Sequence, residues 1–145
     1  LAKSVGDWSV AGKMWMVPGQ PPTDFTATAK RELVLGGNYI RETFTSDMMG
    51  MPFEGMLLQG YDTFRKELVH IWMDNTNPVM SVARGQMKDG VCTMTSEDPN
   101  CMNGKLCKGR TVVKHEGADK ATMSMYTTVD GVESLTMELT YTRTK

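Results

Sequence analysis

Short segments of alternating apolar and polar residues run along the whole chain, and turn signals separate them. Residues 18–22 and Gly36-Gly37 interrupt the early segments, and Asp89-Gly90 and Asp130-Gly131 interrupt later ones. Asp-Gly dipeptides tolerate the positive φ angles of a tight hairpin. About ten segments rich in Thr, Val, Met and aromatic residues lie between the turns, with no amphipathic helix. We predict one all-β domain over residues 1–145, an antiparallel meander that must curl or close.

The alternation at the two ends of the chain predicts closure. Trp8 and Met14 share one face of the first segment, and Met137, Tyr141 and Arg143 share the apolar face of the last. We therefore expect Trp8 and Arg143 to meet inside, with the guanidinium stacked on the indole, a contact worth about 0.5–2 kcal/mol. This pairing of the last strand with the first predicts a closed antiparallel barrel without free sheet edges.

Methionine is unusually abundant, with 14 residues against 4 Phe, 4 Tyr and 3 Trp. Because Met is unbranched and polarizable, it fills irregular gaps or lines adaptable ligand surfaces. The interior is therefore either a flexible core or a deformable apolar pocket. A third interpretation is a Cu(I) site at Met48, Met49 and Met51, although the adjoining Gly50 and Pro52 favour a turn that caps the barrel mouth.

The charge pattern excludes several classes of partner. The net charge of −1 and a pI of about 6.1 give no electrostatic attraction for nucleic acid or an anionic membrane. No apolar run approaches the ~20 residues that would span a bilayer. Because the chain begins at Leu1 rather than Met, we expect that a leader peptide has been removed.

Several polar side chains are candidates for the interior, among them His70 and Tyr141. A buried arginine there would need a partner, because an unpaired buried charge costs several kcal/mol. That partner is either an internal glutamate, such as Glu42 or Glu54, or the carboxylate of a ligand. The predicted ligand-binding residues are Met14, Met16, Arg41, Trp72, Arg110, Tyr126 and Met137.

The spacing of the cysteines predicts a disulfide rather than a catalytic or metal site. Five residues separate Cys101 from Cys107, which predicts a bridge across a hairpin tip that contributes about 2–3 kcal/mol and implies an oxidising compartment. The alternative is two free thiols. A shorter turn would instead place Cys92 opposite His115, but two ligands are too few for a closed zinc site, so we interpret Cys92 as a small buried hydrophobe.

Nothing in the chain defines a reaction. Nucleophile elbows, phosphate-cradling glycine loops and paired-histidine motifs are missing, so we predict no catalytic residue, cofactor or metal. Two functions remain. One is a barrel that binds a small apolar or amphipathic ligand. The other is a structural module that self-associates through its outer faces, since the segment 53–61 is apolar on both sides and Trp15 is predicted outward. An interior cavity of ~300 Å³ or more would favour the first.

Three motifs carry a resemblance that covers the chain: Leu35-Gly36-Gly37, the octapeptide Met-Met-Gly-Met-Pro-Phe-Glu-Gly at 48–55, and Gly60-Tyr61-Asp62. The chain resembles the bacterial calycin-like (lipocalin-like) domains of unknown function. That resemblance implies a lipocalin-like barrel, a secreted or periplasmic location and no established catalytic residues. It also implies a shorter loop, without cysteines, where this chain has residues 100–107.

Overall fold

A computed structural model describes residues 1–99 and 103–145. In these two ranges the chain forms a 3-10 helix, Ala2–Ser4, followed by ten strands. The strands are β1 Gly6–Met14, β2 Thr23–Val34, β3 Tyr39–Met48, β4 Met51–Asp62, β5 Glu67–Asp74, β6 Ser81–Lys88, β7 Val91–Pro99, β8 Leu106–His115, β9 Lys120–Val129 and β10 Val132–Arg143.

The strands form a closed antiparallel meander barrel, as predicted. Each strand pairs with its neighbours in sequence, and β10 returns to pair with β1, so that Trp8 lies opposite Arg143 and Met14 lies opposite Met137. Over residues 1–99 and 103–145, no helix has the length and apolar character needed to cross a membrane.

Tight turns lie where the sequence places Asp-Gly pairs. Asp89 has a φ of 53° and Gly90 a φ of 78°, and Asp130 and Gly131 repeat the pattern with 50° and 78°. Positive φ at both central residues matches the right-handed twist of the flanking strands. These turns therefore fix the registers of the β6–β7 and β9–β10 hairpins.

The buried residues form two clusters inside the barrel. The larger is centred on the β1–β10 closure and includes Trp8, Val10, Leu139 and Tyr141 from these two strands. Phe44 on β3 belongs to the same cluster. The smaller joins Leu68, Cys92 and Met94 on the opposite wall. The end that holds Trp8 and Arg143 is called the floor, and the end where β1 finishes at Met14 is called the mouth.

Candidate functional site

The floor is sealed by Arg143. Its guanidinium carbon lies 4.3 Å from the centre of the Trp8 ring, as the sequence predicts. The same group donates hydrogen bonds to the carbonyls of Lys3 (2.6 Å), Val5 and Ala118 (3.0 Å). Trp8 Nε1 donates to the Ser4 carbonyl at 3.0 Å. The N-terminal helix is thus fastened across this end of the barrel.

Above the floor lies a buried charge network. Arg31 Nε donates to Glu42 Oε2 at 2.5 Å, and only 1% of Glu42 is exposed. The Arg31 guanidinium carbon also lies 4.6 Å from the Tyr141 ring centre and 5.1 Å from that of Trp8. Burial, followed by the Glu42 charge, raises the pKa of Tyr141, so its hydroxyl stays protonated and donates to Glu42.

Two cavities occupy the rest of the interior. The mouth-end cavity has a volume of about 460 Å³, and the floor-end cavity has a volume of about 380 Å³. The side chains of Leu57, His70 and Met123 line both. These three residues therefore form the partition between the two chambers.

Aromatic rings and methionines line much of the mouth-end cavity. The Phe53 and Trp72 rings are stacked, with centroids 6.4 Å apart and an angle of 17° between planes, and Phe44 meets each of them edge-on. Trp72 lies against Gly55, where any larger residue would collide with the ring. The strands that close the barrel supply Met14 and Met137. This surface suits an apolar body of irregular shape.

Two residues that line this cavity carry polar atoms without protein partners. Among the described residues, His70 Nε2 and Asp98 Oδ1 are buried and form no hydrogen bond. Burial, with a smaller contribution from the Arg31 charge, lowers the pKa of His70 to about 4, so the imidazole is neutral at neutral pH. Asp98 Oδ2 accepts a hydrogen bond from the Ser96 hydroxyl at 2.7 Å. A buried polar atom normally has a partner, so both orphaned atoms are candidates for contact with a bound molecule.

A third polar group, Asp74, also faces this cavity. Its carboxylate accepts hydrogen bonds from Trp72 Nε1 at 2.8 Å and from the hydroxyl of Thr76 at 2.5 Å. Burial acts to raise the pKa of Asp74, but these bonds outweigh it and the pKa is lowered. The Asp74 side chain therefore carries a negative charge at neutral pH.

The structure brings some of the predicted ligand-binding residues together and separates others. Met14, Trp72 and Met137 line the mouth-end cavity. Met16 does not, because β1 ends at Met14 and the following bend leaves Met16 71% exposed. The prediction that Arg41 lies in the interior was also wrong. It alternates with the buried Ile40 and Glu42, so its side chain is 46% exposed and pairs with Glu32 at 2.9 Å.

Arg110 and Tyr126 adjoin the cavity wall but are engaged with each other. A side chain on Gly109 would meet Ser96, so Gly109 faces inward and the neighbouring Arg110 faces outward. The Arg110 guanidinium lies 4.2 Å from the Tyr126 ring centre and pairs with Glu133 at 2.7 Å. Neither residue offers a free group to a ligand carboxylate inside the barrel.

The structure tests the interpretation of the cysteines only in part. The disulfide involves Cys101, which lies outside the described residues, while Cys107 is paired in register with Asp98. Cys92 lies opposite Val113 rather than His115 and is buried, and burial raises the pKa of its thiol. In the described ranges, no cluster of three His, Cys, Asp or Glu residues could hold a metal ion.

The three methionines considered as a Cu(I) site do not share one environment. Met48 lines the mouth-end cavity, whereas Met49 is 84% and Met51 is 72% exposed.

Two features of the interior were not anticipated. Arg31 follows Ala27 and Ala29 on the inward face of β2, so the alternation of this strand indicates an interior position. There it forms an ion pair with the Glu42 carboxylate. Asp98 lies on the same face of β7 as the buried Cys92 and Met94, which is a signal of the same kind.

The fold is similar to that of a solved protein. The crystal structure of Rv2717c from M. tuberculosis superposes with a TM-score of 0.71 at 11% identity, and the match covers 99% of this chain and 94% of that one. At this identity the likeness concerns the fold alone. None of the curated proteins matches the chain. The model of one family, DUF1579, described as a protein of unknown function, matches residues 1–143, and the chain therefore belongs to the DUF1579 family.

Proposed function

We propose that this protein is a non-catalytic binding barrel that holds a small apolar or amphipathic molecule in the mouth-end cavity. The observation that carries the proposal is the cavity itself, because its volume of about 460 Å³ lies within the range of small-molecule sites. A barrel that served only as a structural module would be expected to fill this space with side chains. The orphaned His70 and Asp98 atoms support the same conclusion.

The lining also fits this role. The stacked pair Phe53 and Trp72 offers a flat apolar face, and the Met14 and Met137 side chains can adapt to the shape of the molecule opposite. Such a surface binds by removing apolar area from water, which contributes about 25 cal/mol for each Å² buried.

Titration with N-phenyl-1-naphthylamine, a neutral apolar fluorophore, tests the proposal. We expect a saturable rise in fluorescence at one probe per chain, with energy transfer from tryptophan that is reduced in Trp72→Phe. Native mass spectrometry of gently purified protein would then look for the natural occupant. A linear, unsaturable rise in fluorescence would contradict the proposal.

A pair of variants separates the cavity from the outer surface. Ala83 lines the mouth-end cavity, so Ala83→Leu should weaken probe binding about tenfold or more by filling the space. Ala11 is exposed on β1, and Ala11→Leu adds the same atoms outside the barrel. Equal effects of the two variants would place the probe outside the cavity.

Self-association through the outer face is the second candidate. The outer sides of β4 and β5 pair Met56 with Met73 and Leu58 with Ile71, and Val82 on β6 lies next to Ile71. An apolar stripe on the outside of a barrel favours contact with another chain. Light scattering across a concentration series, with Ile71→Lys as the variant, tests this. A monomer at every concentration would exclude it.

A further inference from the structure

The arginines of this protein are already paired with carboxylates. Each of the six has an acidic partner within ion-pair distance, and the pairs are Arg31–Glu42, Arg41–Glu32, Arg65–Asp62, Arg84–Glu67, Arg110–Glu133 and Arg143–Asp119. No lysine belongs to the described lining of the mouth-end cavity. A ligand carboxylate would therefore find no free cation there, and burying it would carry a large desolvation cost.

The acidic side chains of the cavity, by contrast, keep free acceptor capacity. Asp98 Oδ1 is buried without a partner in the described structure, and the Asp74 carboxylate faces the same space. His70 Nε2 is the second orphaned atom, on a neutral ring whose nitrogen presents either a lone pair or an N–H. The interior glutamate, Glu42, is neutralised by Arg31. The net electrostatic character of the open space is thus negative.

Asp98 and His70 share one wall of the barrel. His70 on β5 is paired with Ala83 on β6, and the next residue of β6, Arg84, is paired with Thr95 on β7. Ser96 and Asp98 therefore follow on the inward face of β7, beside the row that contains His70. The opposite wall is apolar and includes Phe25, Met137 and Leu139. A molecule in the cavity would meet the Asp98 carboxylate on one side and hydrocarbon on the other.

We propose that the ligand is an organic amine, whose ammonium group donates a hydrogen bond to Asp98 Oδ1 while its apolar body packs against the methionines and aromatic rings. This inference rests on the proposed function, since it names the chemistry of the molecule that the cavity takes. It assigns Asp98 as the residue that determines the charge preference. Aromatic rings that line a cavity also attract cations, so Trp72 and Phe53 contribute in the same direction.

Three ligands that differ only in their polar group test the inference: octylamine, octanol and octanoate. Each is titrated by isothermal calorimetry, below its micellar concentration, into the full chain. We expect octylamine to bind about ten- to a hundredfold more tightly than octanoate, with octanol between them, because a charge-assisted hydrogen bond is gained in one case and a charge repulsion in the other.

Asp98→Asn is the diagnostic variant, because it keeps an oxygen acceptor for Ser96 and removes the charge. It should cut the preference for octylamine over octanoate about tenfold and leave octanol binding nearly unchanged. Asp89→Asn is the matched control. It removes the same charge at the β6–β7 turn, where Asn also tolerates the φ of 53°, and should leave the preference unaltered.

The outcomes separate the two proposals. Saturable binding of all three ligands with equal affinity, a preference for octanoate, or an amine preference unchanged in Asp98→Asn would overturn the amine inference and leave the binding barrel intact. Absence of binding by all three, together with no saturable binding of N-phenyl-1-naphthylamine, would overturn both.

Discussion

Arg31 and Glu42 form an ion pair inside the barrel, with 2.5 Å between Nε and Oε2 and 10% and 1% of their side chains exposed. Removing one partner from such a pair leaves an uncompensated buried charge. We expect Glu42→Ala to lower the free energy of unfolding by about 3–5 kcal/mol. Urea denaturation followed by circular dichroism measures the change.

The exposed pair Arg41 and Glu32 provides the control for this experiment. This pair joins the same two strands one position further along, with Glu32 beside Arg31 on β2 and Arg41 beside Glu42 on β3. Its atoms are 2.9 Å apart, but both side chains are in contact with water. Glu32→Ala should therefore shift the urea midpoint far less than Glu42→Ala, because water solvates the arginine that remains. Similar shifts in the two variants would show that the interior pair is not desolvated.

Arg143→Lys tests the floor. Lysine keeps the charge but lacks the planar fork that reaches the carbonyls of Lys3, Val5 and Ala118 and covers the Trp8 ring. We expect a loss of about 1–3 kcal/mol and a red shift of Trp8 emission as water reaches the indole. Arg65→Lys, at an exposed position, should change neither property. An unaltered emission spectrum in Arg143→Lys would contradict this role.

His70 should make stability depend on pH. Its pKa is about 4 in the folded chain, against about 6.5 in an unfolded one, so between these values the unfolded state binds more protons. The free energy of unfolding therefore falls as the pH drops from 6.5 toward 4, by about 3 kcal/mol at most. Burial also lowers the pKa of His115, which adds a change of the same sign.

His70→Gln isolates the contribution of His70, because glutamine does not titrate. Denaturation curves on either side of pH 6.5 should show a weaker pH dependence in the variant than in the parent protein. The same slope in both proteins would mean that His70 is solvated in the folded state.

Gly55→Ala tests whether the Trp72 ring shapes the cavity. A methyl group at this position would overlap the ring, so the ring must shift and give up its stacking on Phe53. We expect a loss of about 1–3 kcal/mol and weaker binding of N-phenyl-1-naphthylamine. Gly60→Ala makes an equivalent clash with Tyr39 on the outer face, so it should reduce stability without affecting the probe. Equal probe binding in both variants would exclude a role for Trp72.

Much of the fold could be predicted from local signals. Asp89-Gly90 and Asp130-Gly131 specify tight hairpins through their own backbone preferences, independently of the rest of the chain. Trp8 and Arg143 were each assigned to the interior by alternation within a single strand, and their contact across β1 and β10 followed from closure. These features depend on short stretches of sequence, and they could therefore be predicted without the three-dimensional structure.

The site was less predictable because it depends on register. Arg41 and Glu42 are adjacent, so they occupy opposite faces, and the choice between them depends on how β3 aligns with its neighbours. A bulge between Leu135 and Met137 shifts the register of β10, which no local pattern announces. The orphaned atoms of His70 and Asp98 emerge only when side chains from separate strands are placed together.

Closing the ring joins two strands from opposite ends of the chain. The Ser9 hydroxyl donates to the Thr142 carbonyl across 133 positions, whereas every other seam in the described sheet joins consecutive strands. Hairpins of neighbouring strands can assemble quickly, but this last joint must wait until the others have brought its halves together, because loop closure costs entropy that only later contacts repay. We therefore expect amide hydrogens along the β1–β10 seam to gain protection last during refolding, which pulsed hydrogen exchange measures. Until that joint forms, both chambers would stay open to solvent along their whole length, so closure of the seam is the step that creates an enclosed interior.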